Sequence, residues 1–293
     1  TLGNSADNPQ LDGIANLNGF GNDPNNTLRG NAGINVLDGR AGIDFLDGGD
    51  GADIYLITSS GDHPAAEIAD SGRSGVDEIR FAATVASTLT LYAGDTGVER
   101  LVIGSGLAEN AVSSSSLALN LDASQVVNGL TIRGNAGANS LIGTAFDDRL
   151  EGAAGADSLM GGAGNDLLIG GLGSDQLTGG AGADRFIFDQ TPNATTNRDL
   201  VVDFQSGVDS LQLSLAVFKG LGAMPGNLSA EQFWSGNGVI AAHDASDRLI
   251  YNTATGELFY DVDGLGGAAA TSVALIGALS HPTLTYSDFS LIA

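Results

Sequence analysis

Cysteine is absent from the 293-residue chain, and lysine occurs once, at Lys219. The first absence excludes a disulfide framework and thiolate zinc sites. It fits an extracellular chain that takes its rigidity from another source. The second belongs to a wider shortage of positive charge: 11 Lys+Arg face 35 Asp+Glu, a formal net charge of -24. Phosphate binding needs basic residues, so no nucleic-acid partner is expected, and an anionic membrane surface would repel the chain. No apolar run reaches the ~20 residues a membrane-crossing helix requires, so no transmembrane segment is expected. The chain opens Thr1-Leu2-Gly3-Asn4, without an initiator Met, a basic n-region or an apolar h-region. The expectation is a fragment or processed product with no N-terminal secretory signal. Neither H-E-x-x-H nor G-x-S-x-G occurs, and no catalytic residue is assigned.

What is present in excess is glycine, 44 residues of it, alongside a 42% hydrophobic share that permits a real core. So much glycine costs backbone entropy unless a special conformation is needed again and again, which points to a repeated turn. From Gly134 the chain reads GNAGANSLI, GTAFDDRLE, GAAGADSLM, GGAGNDLLI, GGLGSDQLT and GGAGADRFI, ending at Ile187. The template is G-G-x-G-x-D-x-U-x, with U a large apolar residue. Position six holds Asn139, Asp148, Asp157, Asp166, Asp175 and Asp184; position eight holds Leu141, Leu150, Leu159, Leu168, Leu177 and Phe186. An earlier block, GNAGINVLD, GRAGIDFLD and GGDGADIYL from Gly30, puts Asn35, Asp44 and Asp53 at position six. The nonapeptide after it keeps the phase only through Gly61 and Asp62.

Four regions follow. Residues 1–65 form an N-terminal repeat block, 66–129 looser coils, 130–188 the main repeat block, and 189–293 a mostly β cap. GRSGVDEIR from Gly72 still shows the template with Asp77 at position six, and GDTGVERLV from Gly94 shows it more weakly with Glu99 there. Residues 66–129 read as the same solenoid with longer coils, the alternative being a separate small β domain. In the cap, a hairpin is expected at 249–251 and 257–260, and one helix at 229–234 with Ser229 as its cap. Phe233 and Trp234 are placed in the cap's core.

The nonapeptide has a physical logic. Its glycine-rich opening, through position six, makes a turn, and the remainder makes a short strand. Two nonapeptides complete a coil, so turns on one side recur at every second nonapeptide. That pairs Asp148 with Asp166, Asp157 with Asp175, Asp166 with Asp184, Asn35 with Asp53, and Asp44 with Asp62. Strand spacing brings paired carboxylates to roughly 4.7–4.9 Å, where like charges repel in a dry interstice. A cation between them resolves the conflict. Calcium accepts six to eight oxygen ligands, whereas magnesium demands a strict octahedron and zinc prefers His or Cys. The apolar ladder at position eight is thin, so ion binding is expected to supply much of the folding free energy. The acidity therefore reads as a polyanion awaiting cations rather than a solvating disordered region.

These nonapeptides resemble those of RTX, or hemolysin-type calcium-binding, proteins. The resemblance implies an all-β fold, a right-handed parallel β-roll with a C-terminal cap, binding several Ca2+ ions. It implies that carbonyls of positions one and three of one turn join those of positions two and four of the next turn on the same side. For one site these are Gly152, Ala154 and Asp157 with Gly171, Gly173 and Asp175; for the next, Gly161, Ala163 and Asp166 with Gly180, Gly182 and Asp184. Phe146 replaces a position-four glycine, which disturbs the site using its carbonyl, and Asn35 and Asn139 should bind more weakly than Asp. Residues 199–214, together with 260–264 and the tail, resemble the C-terminal region of serralysin-type exoproteins. That implies a partner in the type I secretion machinery, export of an unfolded chain, and a secreted, extracellular or cell-surface location.

Outside the repeats, Asp203, Asp209, Asp261 and Asp263 are candidate ligands or plain turn residues. Glu67 and Asp70, in the loop after Asp62, could complete a site, with the solvated reading favoured; the serines of 113–116 read as a polar run, and His63, His243 and His281 as surface residues. The leading functional reading is a non-catalytic calcium-binding module that folds after secretion. The alternatives are a surface-layer or filament subunit self-assembled through calcium, and an accessory domain of a secreted hydrolase or polysaccharide-modifying enzyme. An enzyme hidden in 66–129 would be marked by a carboxylate or His cluster in a pocket.

Overall fold

The computed structural model describes residues 8–106, 115–278 and 280–293; the opening Thr1-Leu2-Gly3-Asn4 and two serines of the polar run, Ser113 and Ser114, lie outside them. The chain divides into two compact units, Thr1–Arg149 and Leu150–Ala293.

Short strands separated by glycine-rich turns build the first unit. One sheet runs Asn18–Phe20, Val36–Asp38, Ile54–Ile57, Glu78–Phe81, Arg100–Ile103 and Thr131–Arg133, each parallel to the next. Across from it, Thr27–Arg29 pairs in parallel with Phe45–Asp47, and Thr88–Thr90, Asn120–Asp122 and Ser140–Ile142 form a second parallel row. Val36 pairs with Ile54, its equivalent two nonapeptides on, as the repeat dictates. Ile54 then pairs with Glu78, Glu78 with Arg100, and Arg100 with Thr131, so the coils lengthen while the register of the sheet persists. The described strands of 66–129 thus continue the sheets that the repeats begin. Leu37, Tyr55, Ile79, Leu101 and Ile132 stack inward with no solvent exposure. Full burial of such side chains contributes roughly 1.5–3 kcal/mol each.

The second unit repeats the plan, and its repeat strands keep the two-nonapeptide register. Leu167–Leu172 pairs in parallel with Arg185–Phe188, then Ser210–Ser214, then Phe289–Ile292. On the other side Ser158–Ala163, Gln176–Ala181, Asp199–Val201 and Thr271–Ile276 follow one another in parallel. Leu159, Leu168, Leu177, Phe186, Val201 and Leu211 are fully buried between the two rows. The cap therefore extends both sheets: its strands take over the places of further repeats. The expected hairpin is present, Leu249–Asn252 antiparallel to Glu257–Tyr260. The expected helix is reduced to a single 3-10 turn, Ala230–Gln232, closed by a Ser229–Gln232 capping box. Phe233 leaves that turn to pair with Leu249, and sheet pairing stops the helix after one turn. Phe233 and Trp234 are only half-buried; Phe233 packs on Phe289 and Trp234 stacks on His243.

Why position four is glycine is plainest at Gly173. Its φ is +136°, and a Cβ there would lie 1.5 Å from the Gly155 carbonyl oxygen of the preceding coil. Both the backbone conformation and the spacing between coils exclude a side chain.

Candidate metal centre

Position six is where consecutive coils meet. In the second unit the Asp157 N–H donates to Asp175 Oδ1 at 2.8 Å and the Asp166 N–H to Asp184 Oδ1 at 2.9 Å. The first unit repeats this from the Asn35 N–H to Asp53 Oδ1 at 2.7 Å and from the Asn26 N–H to Asp44 Oδ1 at 2.8 Å. Each carboxylate so placed is a backbone cap with one oxygen. The other oxygen points into the coil's own turn. Built on Gly152, Gly161, Gly170 and Gly179, a Cβ would stand 2.4, 2.1, 2.3 and 2.3 Å from Oδ2 of Asp157, Asp166, Asp175 and Asp184 respectively. At Gly152 and Gly161 the carbonyl oxygens of Gly170 and Gly179, one coil on, reach the same point at 2.6 and 2.7 Å. Carboxylate and carbonyl oxygens thus converge where a methyl group would otherwise sit.

The oxygens are short of donors. Asp44, Asp53 and Asp175 each bury an Oδ2 that accepts no hydrogen bond. Burial, reinforced by neighbouring carboxylates, pushes Asp44 up to about 6 and Asp53 and Asp77 up to about 7. Burial raises Asp175 as well. An all-oxygen set with buried, donor-poor carboxylates suits a hard cation, and its mixture of carboxylates and carbonyls matches calcium. Burying such charges unpaired would be costly. The residues therefore fit the ion, and Asp157, Asp175 and the turn carbonyls around Gly152, Ala154, Gly171 and Gly173 would hold it.

Where position six is asparagine, the amide supplies the bridge itself. Asn35 Nδ2 donates to the Leu17 carbonyl at 3.0 Å, and Asn139 Nδ2 donates to the Leu119 carbonyl at 2.6 Å. Asp148 also differs: Thr144, at position two of the Phe146-containing nonapeptide, adds its Oγ1–H to the N–H donors of Thr144 and Leu130. Phe146 itself points outward, 46% exposed.

The pairing of Asp44 with Asp62 is corrected. Leu46 pairs with Ile68, and the Leu46 N–H donates to the Glu67 carbonyl. Asp62 sits instead in a 3-10 turn, Ser60–Asp62, where Thr58 Oγ1 donates to it at 3.1 Å. The longer coil displaces it from the ladder. Glu67, read as solvated, is buried, and so is His63, read as a surface residue. His63 Nδ1 lies 3.1 Å from Glu67 Oε2 and Nε2 lies 2.9 Å from Asp95 Oδ2. Burial opposes the ring's charge, but the hydrogen bonds to Asp95 and Glu67 outweigh it and raise His63 to about 9. This is the carboxylate–His cluster that would mark an enzyme, yet its three side chains are only 1, 2 and 0% exposed. His243 is exposed and His281 half-buried.

In the cap, Asp199 and Asp209 continue the ladder. The Asp175 N–H donates to Asp199 Oδ1 at 3.1 Å and the Asp184 N–H to Asp209 Oδ1 at 3.0 Å. Burial pushes Asp199 up to about 7. Asp203 accepts from the Gly179 and Gly180 N–H groups at 3.0 and 2.9 Å, so it caps a repeat turn. Asp261 accepts from the Asp263 and Gly264 N–H groups in a local turn. Among the described residues, neither Asp261 nor Asp263 joins a third metal-ligating side chain; two groups of three do, Asp53–Asp70–Asp77 and His243–Asp244–Asp247. Asp77, Asp95 and Asp199 are not among the residues expected as ligands, and Asp70 is so only as the less favoured of its two readings. Only Asp77 carries a signal, its place in GRSGVDEIR.

The fold and the centre define a parallel β-roll whose turns are built to take calcium. The pattern of the RTX calcium-binding nonapeptide repeat matches residues 20–55, 133–168 and 160–190, four copies in all. These segments of the chain carry RTX calcium-binding nonapeptide repeats. No curated protein matches it. Among the described residues, no helix is long and apolar enough to cross a membrane.

Proposed function

We propose that the chain is a non-catalytic module that holds several calcium ions between the position-six carboxylates of consecutive coils, and that it folds on binding them. One observation carries this reading: buried Asp oxygens without donors, at Asp44, Asp53 and Asp175, each facing its own glycine turn. Those charges and the glycine backbone oppose folding in the absence of a cation, so ion binding supplies folding free energy. A site filled at about 100 times its Kd adds roughly 2.7 kcal/mol. The likeness of residues 199–214 and 260–264 to exported RTX proteins supports a secreted module delivered by type I machinery, unfolded at low calcium and folded outside. The sealed His63 cluster offers no access to substrate, which favours the non-catalytic role.

Far-ultraviolet circular dichroism of the full chain tests the folding claim. The expected result is a largely unfolded spectrum in EGTA and a β spectrum in millimolar calcium that magnesium does not reproduce. Identical spectra in EGTA and in calcium would overturn it.

A further inference from the structure

The regular repeat assigns two carboxylates to each interstice, one from each of the coils that meet there. Between Asp53 and Asp77 the coil is longer: the Asp53 N–H donates to Asp77 Oδ1 at 2.7 Å across 24 residues. The additional chain does not simply loop into solvent. It turns at Ser60–Asp62, returns through buried Ile68, and lays Asp70 back over the turn that precedes Asp53. Asp70 is fixed there by two short hydrogen bonds, Tyr55 OH to Oδ2 at 2.6 Å and the Gly72 N–H to Oδ1 at 2.6 Å. Tyr55 is fully buried, and its own oxygen accepts the Gly48 N–H at 2.8 Å. One oxygen from each of Asp53, Asp70 and Asp77 lies within 4.8 Å of the others.

An acidic cluster alone is no site, but Asp53 adds a second observation. Its side chain is wholly buried, Oδ1 caps the Asn35 N–H, and Oδ2 has no hydrogen-bond partner. Both oxygens of Asp70, and Oδ1 of Asp77, accept hydrogen bonds and still keep a lone pair for a metal. No nitrogen or sulfur ligand is present in the group, which selects a hard cation. From this we propose that Asp53, Asp70 and Asp77 form a three-carboxylate calcium site outside the nonapeptide rule, with Asp70, brought by the long coil and held by Tyr55, as the residue that sets it apart. The proposal rests on the calcium reading of the repeats. Affinity of oxygen sites rises with carboxylate count, so this site fills before the two-carboxylate sites of the regular coils.

Calorimetric titration of the full chain with calcium, starting from the EGTA-stripped protein, separates the two claims. Wild type is expected to show one tightest event ahead of the rest. Asp70→Asn keeps the side chain's shape and removes one charge; it is expected to weaken that event at least tenfold and leave the later ones in place. Asp175→Asn is expected to spare the first event and remove a later one. If Asp70→Asn superimposes on wild type while Asp175→Asn loses an event, the three-carboxylate site is refuted and the repeat reading stands. If wild type takes up no calcium, the repeat reading itself fails. Terbium provides a readout that needs no variant to fold. The first equivalent added to wild type should emit under tyrosine excitation, because Tyr55 touches a ligand; a dark first equivalent overturns the proposal.

Discussion

Asp175 offers the sharpest separation of ion binding from backbone capping. One of its oxygens accepts the Asp157 N–H at 2.8 Å, and the other is buried without a partner. Asp175→Asn retains an Oδ1 for that N–H and removes the charge. If the carboxylate only capped the coil, the loss would be the same at every calcium concentration. If it binds an ion, the loss has a defined calcium dependence. At free calcium 100-fold above Kd, one lost ion costs about 2.7 kcal/mol, or roughly 5–11 °C in Tm for a protein of this size class. Each further tenfold rise in calcium should widen the gap by about 1.4 kcal/mol per ion, since only wild type gains from it. Asp175 also faces Asp199, whose Oδ1 accepts the Asp175 N–H, so a slope near twice that value would mean that two ions share it. Thermal unfolding followed by circular dichroism over a hundredfold range of free calcium reads the slope directly. A Tm difference that stays constant across that range would refute ion binding at Asp175.

Two more outcomes follow from particular contacts. Gly173→Ala should cripple calcium-dependent folding of the second unit, through roughly 1–3 kcal/mol of backbone strain and a collision 1.5 Å from the Gly155 carbonyl. Gly207→Ala, at φ +78° with nothing within 4 Å, should show the strain alone, and calorimetric unfolding of both variants compares them. His63 is raised to about 9 in the folded protein, from about 6.5 unfolded. A raised folded value means that the protonated ring stabilises fully below pH ~6.5 and that this contribution, about 3 kcal/mol, is lost as pH rises through about 9. Urea unfolding in saturating calcium should therefore show wild type weakening between neutral pH and pH 10, and His63→Gln should be flat over that window.

The regular coils are legible because each nonapeptide carries its own instructions: glycine where a Cβ would collide, aspartate where two coils meet, leucine where the sheets face. The long coils are not, because an insertion moves the partner of a strand without leaving a mark on the strand itself. Asp62 keeps the nonapeptide phase and loses its place, because Leu46 pairs with Ile68; Asp70 has the sequence surroundings of a solvated loop residue and is locked by Tyr55. His63 next to Pro64 has those of a surface residue, since nothing local announces Asp95, 32 residues away, as its partner. The cap poses the opposite difficulty. Asp199 and Asp209 do the work of position-six residues without any nonapeptide around them, because what the ladder requires is an acceptor at the right height and not a particular turn. The short turn at Ala230–Gln232 shows the same primacy of pairing over local capping signals.

The capping bonds at position six all point one way: the acceptor belongs to the later coil and the donor to the earlier. The stack is therefore a zipper with a polarity. A coil cannot satisfy its own position-six N–H; the acceptor comes from chain that lies further along. The two faces of any partial stack are unequal. The leading face toward the start exposes a carboxylate oxygen, which water or an ion satisfies readily, whereas the face toward the end exposes a buried donor that needs an acceptor. Asn35 and Asn139 suit the first situation, since an amide both gives and takes. Asp199 and Asp209 answer the second, supplying the acceptors that the last repeat coils need.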